Sequence, residues 1–227
     1  MRYVVILAGG QGKRFGHKNK ALIKINNITF IERLVDEFLG YAEIVISTRK
    51  EYLDEIKECL KIKRVEYVID EFDEIRGPIS GILSTLTKID KGYFLFIPVD
   101  RIFSKKVLVD PFFMEVEKNP LVDAVITKVD NQLAPFPVLY SASLVKDPHG
   151  FLPRQNILWE YVFQNFSLSS KLSVKSFNNF IVELSKNEIV PLVRKLNVSF
   201  VNLPSNSELL IDINSFEELE KYVVKGI

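Results

Sequence analysis

Leu7-Ala8-Gly9-Gly10-Gln11-Gly12-Lys13-Arg14-Phe15-Gly16 packs glycines and cations into one short stretch, and Lys20 follows four residues later. Glycine lets backbone N–H groups come close to an anion, and Lys13, Arg14 and Lys20 add positive charge. The combination suits a polyphosphate. It is not a P-loop, because Gly12-Lys13 is followed by Arg14 rather than Ser or Thr and the earlier glycine is missing. It is a poor dinucleotide fingerprint too. Phe15 stands where the third glycine belongs, and no acidic residue closes a second strand at Ser47-Thr48.

Two carboxylates fall at the ends of apolar runs. Asp100 follows Phe94-Leu95-Phe96-Ile97-Pro98-Val99. One carboxylate plus phosphate oxygens is a common protein share of a Mg²⁺ site, because Mg²⁺ keeps much of its water. An aspartate at that place also serves as a helix cap or turn residue, and position alone leaves both roles open. Asp70 ends an earlier run, and Gly77-Pro78 opens a helix, either as a plain loop-to-helix junction or as one whose N-terminal donors hold a phosphate or a base edge. The neighbouring Glu71, Asp73 and Glu74 read as solvated charges. No Ser-His-Asp or Cys-His pattern stands out, so the chemistry expected is positioning and charge neutralisation.

The elements that must position these residues alternate in type. Residues 3–7 form a continuous apolar run that stops at Gly9-Gly10, as in a strand buried on both faces. Ile28, Ile31, Leu34, Val35 and Phe38 fall at helical spacing, with Gly40 as a stop. Strands are predicted at 44–46, 65–69 and 93–97, and helices at 52–60 and from Pro78 to Leu86. This order implies an α/β fold with a Rossmann-like, parallel, doubly wound sheet. Such sheets bind ligands beyond the carboxyl ends of their strands, where the glycine loop, Asp70 and Asp100 all fall. The second half is less regular, with strands at 124–127, 137–140 and 199–203. Ser215-Phe216-Glu217-Glu218 reads as a capping box for the last helix.

Composition narrows the partners. The 227 residues are 47% hydrophobic, enough for one sizeable core, and prolines and glycines are too scattered to mark a linker. The expectation is one domain over 1–227. Thirty basic residues against 29 acidic ones argue against a nucleic-acid partner. The single cysteine, Cys59, excludes an internal disulfide framework and reads as a small buried hydrophobe. No stretch is long and apolar enough to span a bilayer and no signal peptide is evident, so a cytoplasmic protein without membrane attachment is expected.

Leu7-Ala8-Gly9-Gly10, Arg14-Phe15-Gly16 and Lys20-Ala21-Leu22 resemble the N-terminal signature of the molybdenum cofactor guanylyltransferases. Pro98-Val99-Asp100, Gly77-Pro78-Ile79-Ser80-Gly81 and the strand Ala134-Pro135-Phe136-Pro137-Val138-Leu139-Tyr140 match further segments of that family. So does Asp212-Ile213-Asn214-Ser215 with Glu217-Glu218-Leu219. The resemblance implies a mainly parallel sheet with one antiparallel strand, of the nucleotide-diphospho-sugar-transferase type, with residues 1–103 as the NTP-binding half and 104–227 as the acceptor-binding half. It also implies a nucleotidyltransferase that moves GMP from GTP to a molybdopterin-type phosphate and releases pyrophosphate. It assigns Arg14 and Lys20 to the triphosphate, Asp100 to Mg²⁺, and the backbone of Leu7, Ala8, Gly9, Gly10 and Gly12 to the nucleotide. Asp70, Gly77 and Pro78 go to the base, and Asn214 to the metal or phosphates. Without the resemblance, Asn214 reads equally well as a residue pairing backbone before the last helix.

The chain departs from the family at Asn19, where an aspartate is common, and at Arg101-Ile102-Phe103, where a small residue and proline usually follow the aspartate. Residues 146–195 match poorly. There Arg154 is a candidate for the acceptor phosphate, Trp159 for the core and His149 for a turn. Transient contact with other proteins of cofactor biosynthesis is also implied. Alternatives are a related enzyme with another acceptor (cobinamide phosphate, a sugar 1-phosphate, an isoprenoid precursor), CMP transfer to molybdopterin, or a nucleotide-binding regulator without turnover.

Overall fold

A computed structural model describes residues 1–12, 15–16, 18–61, 63–72, 77–145, 173–186 and 196–223. Lys13, Arg14, Asp73, Glu74, Arg76, His149, Arg154 and Trp159, each singled out above or adjoining a motif, lie outside the described residues.

Seven strands share one sheet: β1 Arg2–Leu7, β2 Glu43–Thr48, β3 Glu66–Ile69, β4 Tyr93–Pro98, β5 Ala124–Val129, β6 Gln132–Ser141 and β7 Val198–Leu203. Their spatial order is β3-β2-β1-β4-β6-β5-β7. Every pairing is parallel except those of β6 with β4 and β5, so β6 is the one antiparallel strand. The cause is local. Asp130 and Asn131 both take left-handed backbone, with φ of 48° and 64°. That is the two-residue hairpin geometry that aspartate and asparagine tolerate best, and it folds β6 straight back onto β5.

Alternation along each strand sends side chains to two helical layers. Val4 and Ile6 of β1 join a core with α1 Phe30–Phe38, α2 Leu53–Cys59, α4 Lys106–Lys118 and α6 Phe216–Val223. Tyr3, Val5 and Leu7 face α3 Pro78–Lys88 and α5 Val174–Lys186. Both faces of β1 are therefore covered, which explains its unbroken apolar run.

Helix α1 begins two residues later than the periodicity predicts. Ile28 lies in a two-residue ribbon paired with Ile25, is 44% exposed, and contributes nothing to the helix. Thr29 is the cap: its hydroxyl accepts the Glu32 N–H, and the Glu32 carboxylate accepts the Thr29 N–H. Gly40, at φ 76°, closes the helix as expected. Cys59 is half-buried, its Sγ 3.3 Å from the Thr29 hydroxyl. It is less deeply placed than its position on the apolar stripe predicts.

Candidate active site at the switch point

The chain leaves β1, builds β2 and β3 on one side, and then returns to place β4 on the other side. The carboxyl ends of β1 and β4 therefore form the topological switch point where such sheets bind ligands. Leu7 stands in register with Pro98, and the Val99 N–H donates to the Leu7 carbonyl at 3.1 Å. The glycine loop and Asp100 emerge side by side on one rim.

Leu7 and Ala8 are buried, and the Ala8 N–H donates to the Ser47 carbonyl at 2.7 Å. These two residues anchor the loop. Beyond Gly9 and Gly10, Gln11 and Gly12 pair antiparallel with Lys18 and Asn19, so the loop is a small hairpin. Lys13 and Arg14 lie between those strands in sequence, outside the described residues.

The hairpin delivers Lys20 to the rim. The Asn19 side-chain oxygen accepts the Ala21 N–H at 3.0 Å, capping a single turn over Lys20–Leu22. A carboxamide does this work as well as the carboxylate common in the family. Lys20 Nζ then sits 2.5 Å from Asp100 Oδ2 and 2.9 Å from Asn214 Oδ1. Residues from three distant parts of the sequence meet here.

Asp100 is held tightly. Its side chain is 17% exposed and its second oxygen, Oδ1, is buried without a hydrogen-bond partner. Burial pushes its carboxyl above the ordinary carboxylate value, against the opposing pull of the Lys20 ammonium, and Asp212 adds to the rise. A buried acceptor with no donor is costly unless something binds it. A hard cation is the fitting ligand, so the donor set suits Mg²⁺. Among the described residues no group of three or more His, Cys, Asp or Glu could hold a metal. A site completed by nucleotide phosphates is the kind this residue can serve.

Asn214 is fixed from behind. Its N–H donates to the Glu218 carboxylate at 2.6 Å, and the Ser215 hydroxyl accepts the Glu218 N–H at 3.2 Å. The capping box read from the sequence is thus shifted by one: Glu218 reaches past Ser215 to the preceding residue. The same helix start that caps α6 holds Asn214 toward Lys20.

Asp70 serves the opposite side of the loop. Its Oδ1 accepts the Ser47 hydroxyl at 2.7 Å, and its N–H donates to Thr48 at 2.9 Å. Gly9 and Gly81 lie against it so closely that a Cβ at either would strike Asp70 Oδ2 or Ser47 Oγ respectively. Gly77 needs its left-handed φ of 94° to turn into Pro78 at the first position of α3. Ser47 and Gly81 escaped the sequence reading as site residues; Gly81 stood in the quoted motif, whereas Ser47 carried no signal beyond ending a strand.

Gly10 contrasts with Gly9, since a Cβ on Gly10 would meet nothing within 4 Å. Gly9→Ala is expected to cost about 1–3 kcal/mol by overpacking, lowering Tm by roughly 2–12 °C. Gly10→Ala is expected to keep the parent Tm while weakening nucleotide binding, because only a ligand would occupy that space. Thermal melts with and without NTP·Mg²⁺ separate the two. Equal loss of Tm in both variants would remove the distinction.

Comparison with known proteins places this geometry. The MobA-like NTP transferase domain profile matches residues 4–157. A probable molybdenum cofactor guanylyltransferase of Clostridium perfringens is 27% identical over 202 residues, covering 85% of this chain and 96% of that protein. The molybdenum cofactor guanylyltransferase of Shewanella putrefaciens is 26% identical over 170 residues, covering 73% and 84%. Among solved structures, molybdopterin-guanine dinucleotide biosynthesis protein A of Archaeoglobus fulgidus superposes with a TM-score of 0.67 at 19% identity, covering 99% of this chain and 100% of that one. The 4-diphosphocytidyl-2C-methyl-D-erythritol synthase of Anaerococcus prevotii gives 0.63 at 15% identity, covering 100% of this chain and 96% of that one. With most of β1 and all of the glycine loop, Asp100 and β6 inside the matched span, the chain belongs to the MobA-like NTP transferase domain family.

Proposed function

We propose that this protein transfers GMP from GTP to the terminal phosphate of a molybdopterin carrying molybdenum or tungsten, releasing pyrophosphate. The observation that carries the reading is the meeting of Lys20, Asp100 and Asn214 beside the glycine loop at the switch point. The guanylyltransferase names of its relatives support the choice of nucleotide and acceptor. A cytoplasmic setting belongs to the same reading, since a free triphosphate is its substrate; among the described residues no helix is long and apolar enough to cross a membrane.

In the reaction an acceptor phosphate oxygen forms a bond to the α-phosphorus of GTP, and the bond from that phosphorus to the β-phosphate bridging oxygen breaks. The acceptor phosphate is already anionic near neutral pH, so no strong base is required. Asp100 is the residue that would hold Mg²⁺, which when bound neutralises phosphate charge. Lys20 supplies a point charge for the negative charge that grows on the leaving pyrophosphate. The backbone of Gly9, Gly10 and Gly12, with Arg14, cradles the triphosphate, while the Gly77-Pro78 turn and Asp70 border the base.

Incubating the protein with Mg²⁺, each of the four NTPs and a candidate acceptor, and measuring pyrophosphate and the dinucleotide product by mass spectrometry, tests the assignment. GTP with a molybdopterin-type acceptor is expected to turn over fastest. Faster turnover of CTP, or of a sugar 1-phosphate or cobinamide phosphate, would reassign the substrate. Tight GTP binding without pyrophosphate release would make the protein a regulator.

A further inference from the structure

The residue after Asp100 is an arginine whose side chain points away from solvent. Arg101 is 4% exposed, and its guanidinium meets three acceptors on two other segments. Nε donates to Asp212 Oδ1 at 2.7 Å, and Nη1 donates to the carbonyls of Phe136 at 2.7 Å and Leu209 at 2.6 Å. The backbone adds a fourth tie one residue away, with the Ile213 N–H donating to the Asp100 carbonyl at 3.1 Å. Asn214, which contacts Lys20, comes next in the chain.

We infer that Arg101 is a positioning residue for the nucleotide site, pinning the 209–214 segment so that Asn214 holds Lys20 over Asp100. The inference rests on the nucleotidyltransferase reading above for the meaning of Lys20 and Asp100, and on this chain's own geometry for the clamp. A rigid planar fork suits the task because it meets a carboxylate and backbone carbonyls on separate segments at once. Burying such a cation costs desolvation unless its donors are met, and here three acceptors meet the N–H groups of Nε and Nη1. A lysine at 101 supplies a point charge and cannot span the same set. Apart from the single turn Glu208–Leu210 the 209–214 segment has no regular structure before α6 begins at Phe216, and besides Arg101 it is held by the buried Leu209 and Ile213 and by the Asn214–Glu218 bond.

A merely structural arginine would lower stability and leave the folded site intact. A positioning arginine acts through Asn214, so its removal changes the surroundings of Lys20. The test uses the full-length protein with Arg101→Met, Arg101→Lys and Asn214→Ala, and Asp212→Asn as a milder member in case Arg101→Met does not fold. Trace acetylation followed by mass spectrometry reads the reactivity of each lysine without any substrate.

Lys20 acetylation is expected to rise severalfold in folded Arg101→Met and in Asn214→Ala, and less in Arg101→Lys and Asp212→Asn, while Lys61 and Lys118 keep their parent rates. An unchanged Lys20 in folded variants overturns the inference, and so does a uniform rise across all lysines. In the catalytic assay Arg101→Met is expected to lower kcat by about tenfold to a hundredfold with little change in KM for the nucleotide. Combining it with Asn214→Ala should add little further loss. Additive losses overturn the inference. If the parent protein releases no pyrophosphate with any NTP, the proposed function fails, while the acetylation result still decides the role of Arg101.

Discussion

Asp100→Asn is expected to reduce the rate of pyrophosphate release by on the order of 10³-fold and to leave the fold at least as stable as the parent at neutral pH. The two effects have one origin. Burial raises the Asp100 carboxyl above its ordinary value even with the Lys20 ammonium against it. A carboxyl raised in the folded state contributes stability below its unfolded value of 3.8, and that contribution is lost as pH rises through the folded value. At neutral pH the ionised group therefore stands in the fold at a cost. Asparagine removes the charge, and its carbonyl still accepts from Lys20, which also keeps Asn214.

A buried carboxylate oxygen without a hydrogen-bond partner is typical of a group kept for function. The same direction shapes the acid limb of metal binding. Titrating Mn²⁺ into nucleotide-free parent protein across pH should show affinity lost on acidification, with a midpoint above 3.8, and no such titration in Asp100→Asn. Thermal melts at neutral pH complete the test. Near-parent turnover in the folded variant would remove Asp100 from the site, and a marked loss of Tm would mean that its charge holds the fold together.

What the sequence disclosed and withheld follows from the range of the interactions. The buried run of β1, the glycine loop and the strand-ending Asp100 are local patterns, and the parallel architecture follows from their alternation with helices. The hairpin behind the antiparallel strand was also locally encoded, in Asp130-Asn131, two residues that tolerate left-handed backbone. Helix α4 was harder to read. Pro111 interrupts its pattern and Lys105 offers no side-chain cap, so its stability comes from packing Val109, Phe112 and Phe113 against the sheet.

The contacts that build the site had no local trace at all. Lys20 and Asn214 are 194 residues apart, and Arg101 and Asp212 are 111 apart. Read along the chain, Arg101 was only a departure from a family pattern. In the fold it fastens the segment that carries Asn214. Asn19 changes meaning in the same way: it replaces a carboxylate but keeps the capping oxygen that the turn before Ala21 needs.

Lys20→Met is expected to move two measurements in opposite directions: turnover should fall by about 10²–10³-fold, while Mn²⁺ affinity without nucleotide should rise. Lys20 Nζ takes one oxygen of Asp100 at 2.5 Å, with side-chain exposures of 12% and 17%. A divalent cation arriving at this carboxylate meets a positive charge already in place, in surroundings where water screens poorly. The triphosphate changes the balance, because its oxygens offer the ammonium new partners and leave Asp100 to the metal. Nucleotide and metal binding are therefore expected to favour each other in the parent, a reciprocal coupling that Lys20→Met should weaken. Methionine is unbranched and about as long, so the packing beside Phe15, whose ring centroid lies 5.9 Å from Nζ, has an apolar replacement. Lys20→Arg should not restore turnover, since a wide planar fork does not fit the place of a compact ammonium between Asp100 and Asn214. Calorimetric titration of Mn²⁺ with and without a non-hydrolysable GTP analogue reads the coupling. A loss of metal affinity in Lys20→Met, parallel to its loss of turnover, would show that the lysine supports the cation rather than standing in for it.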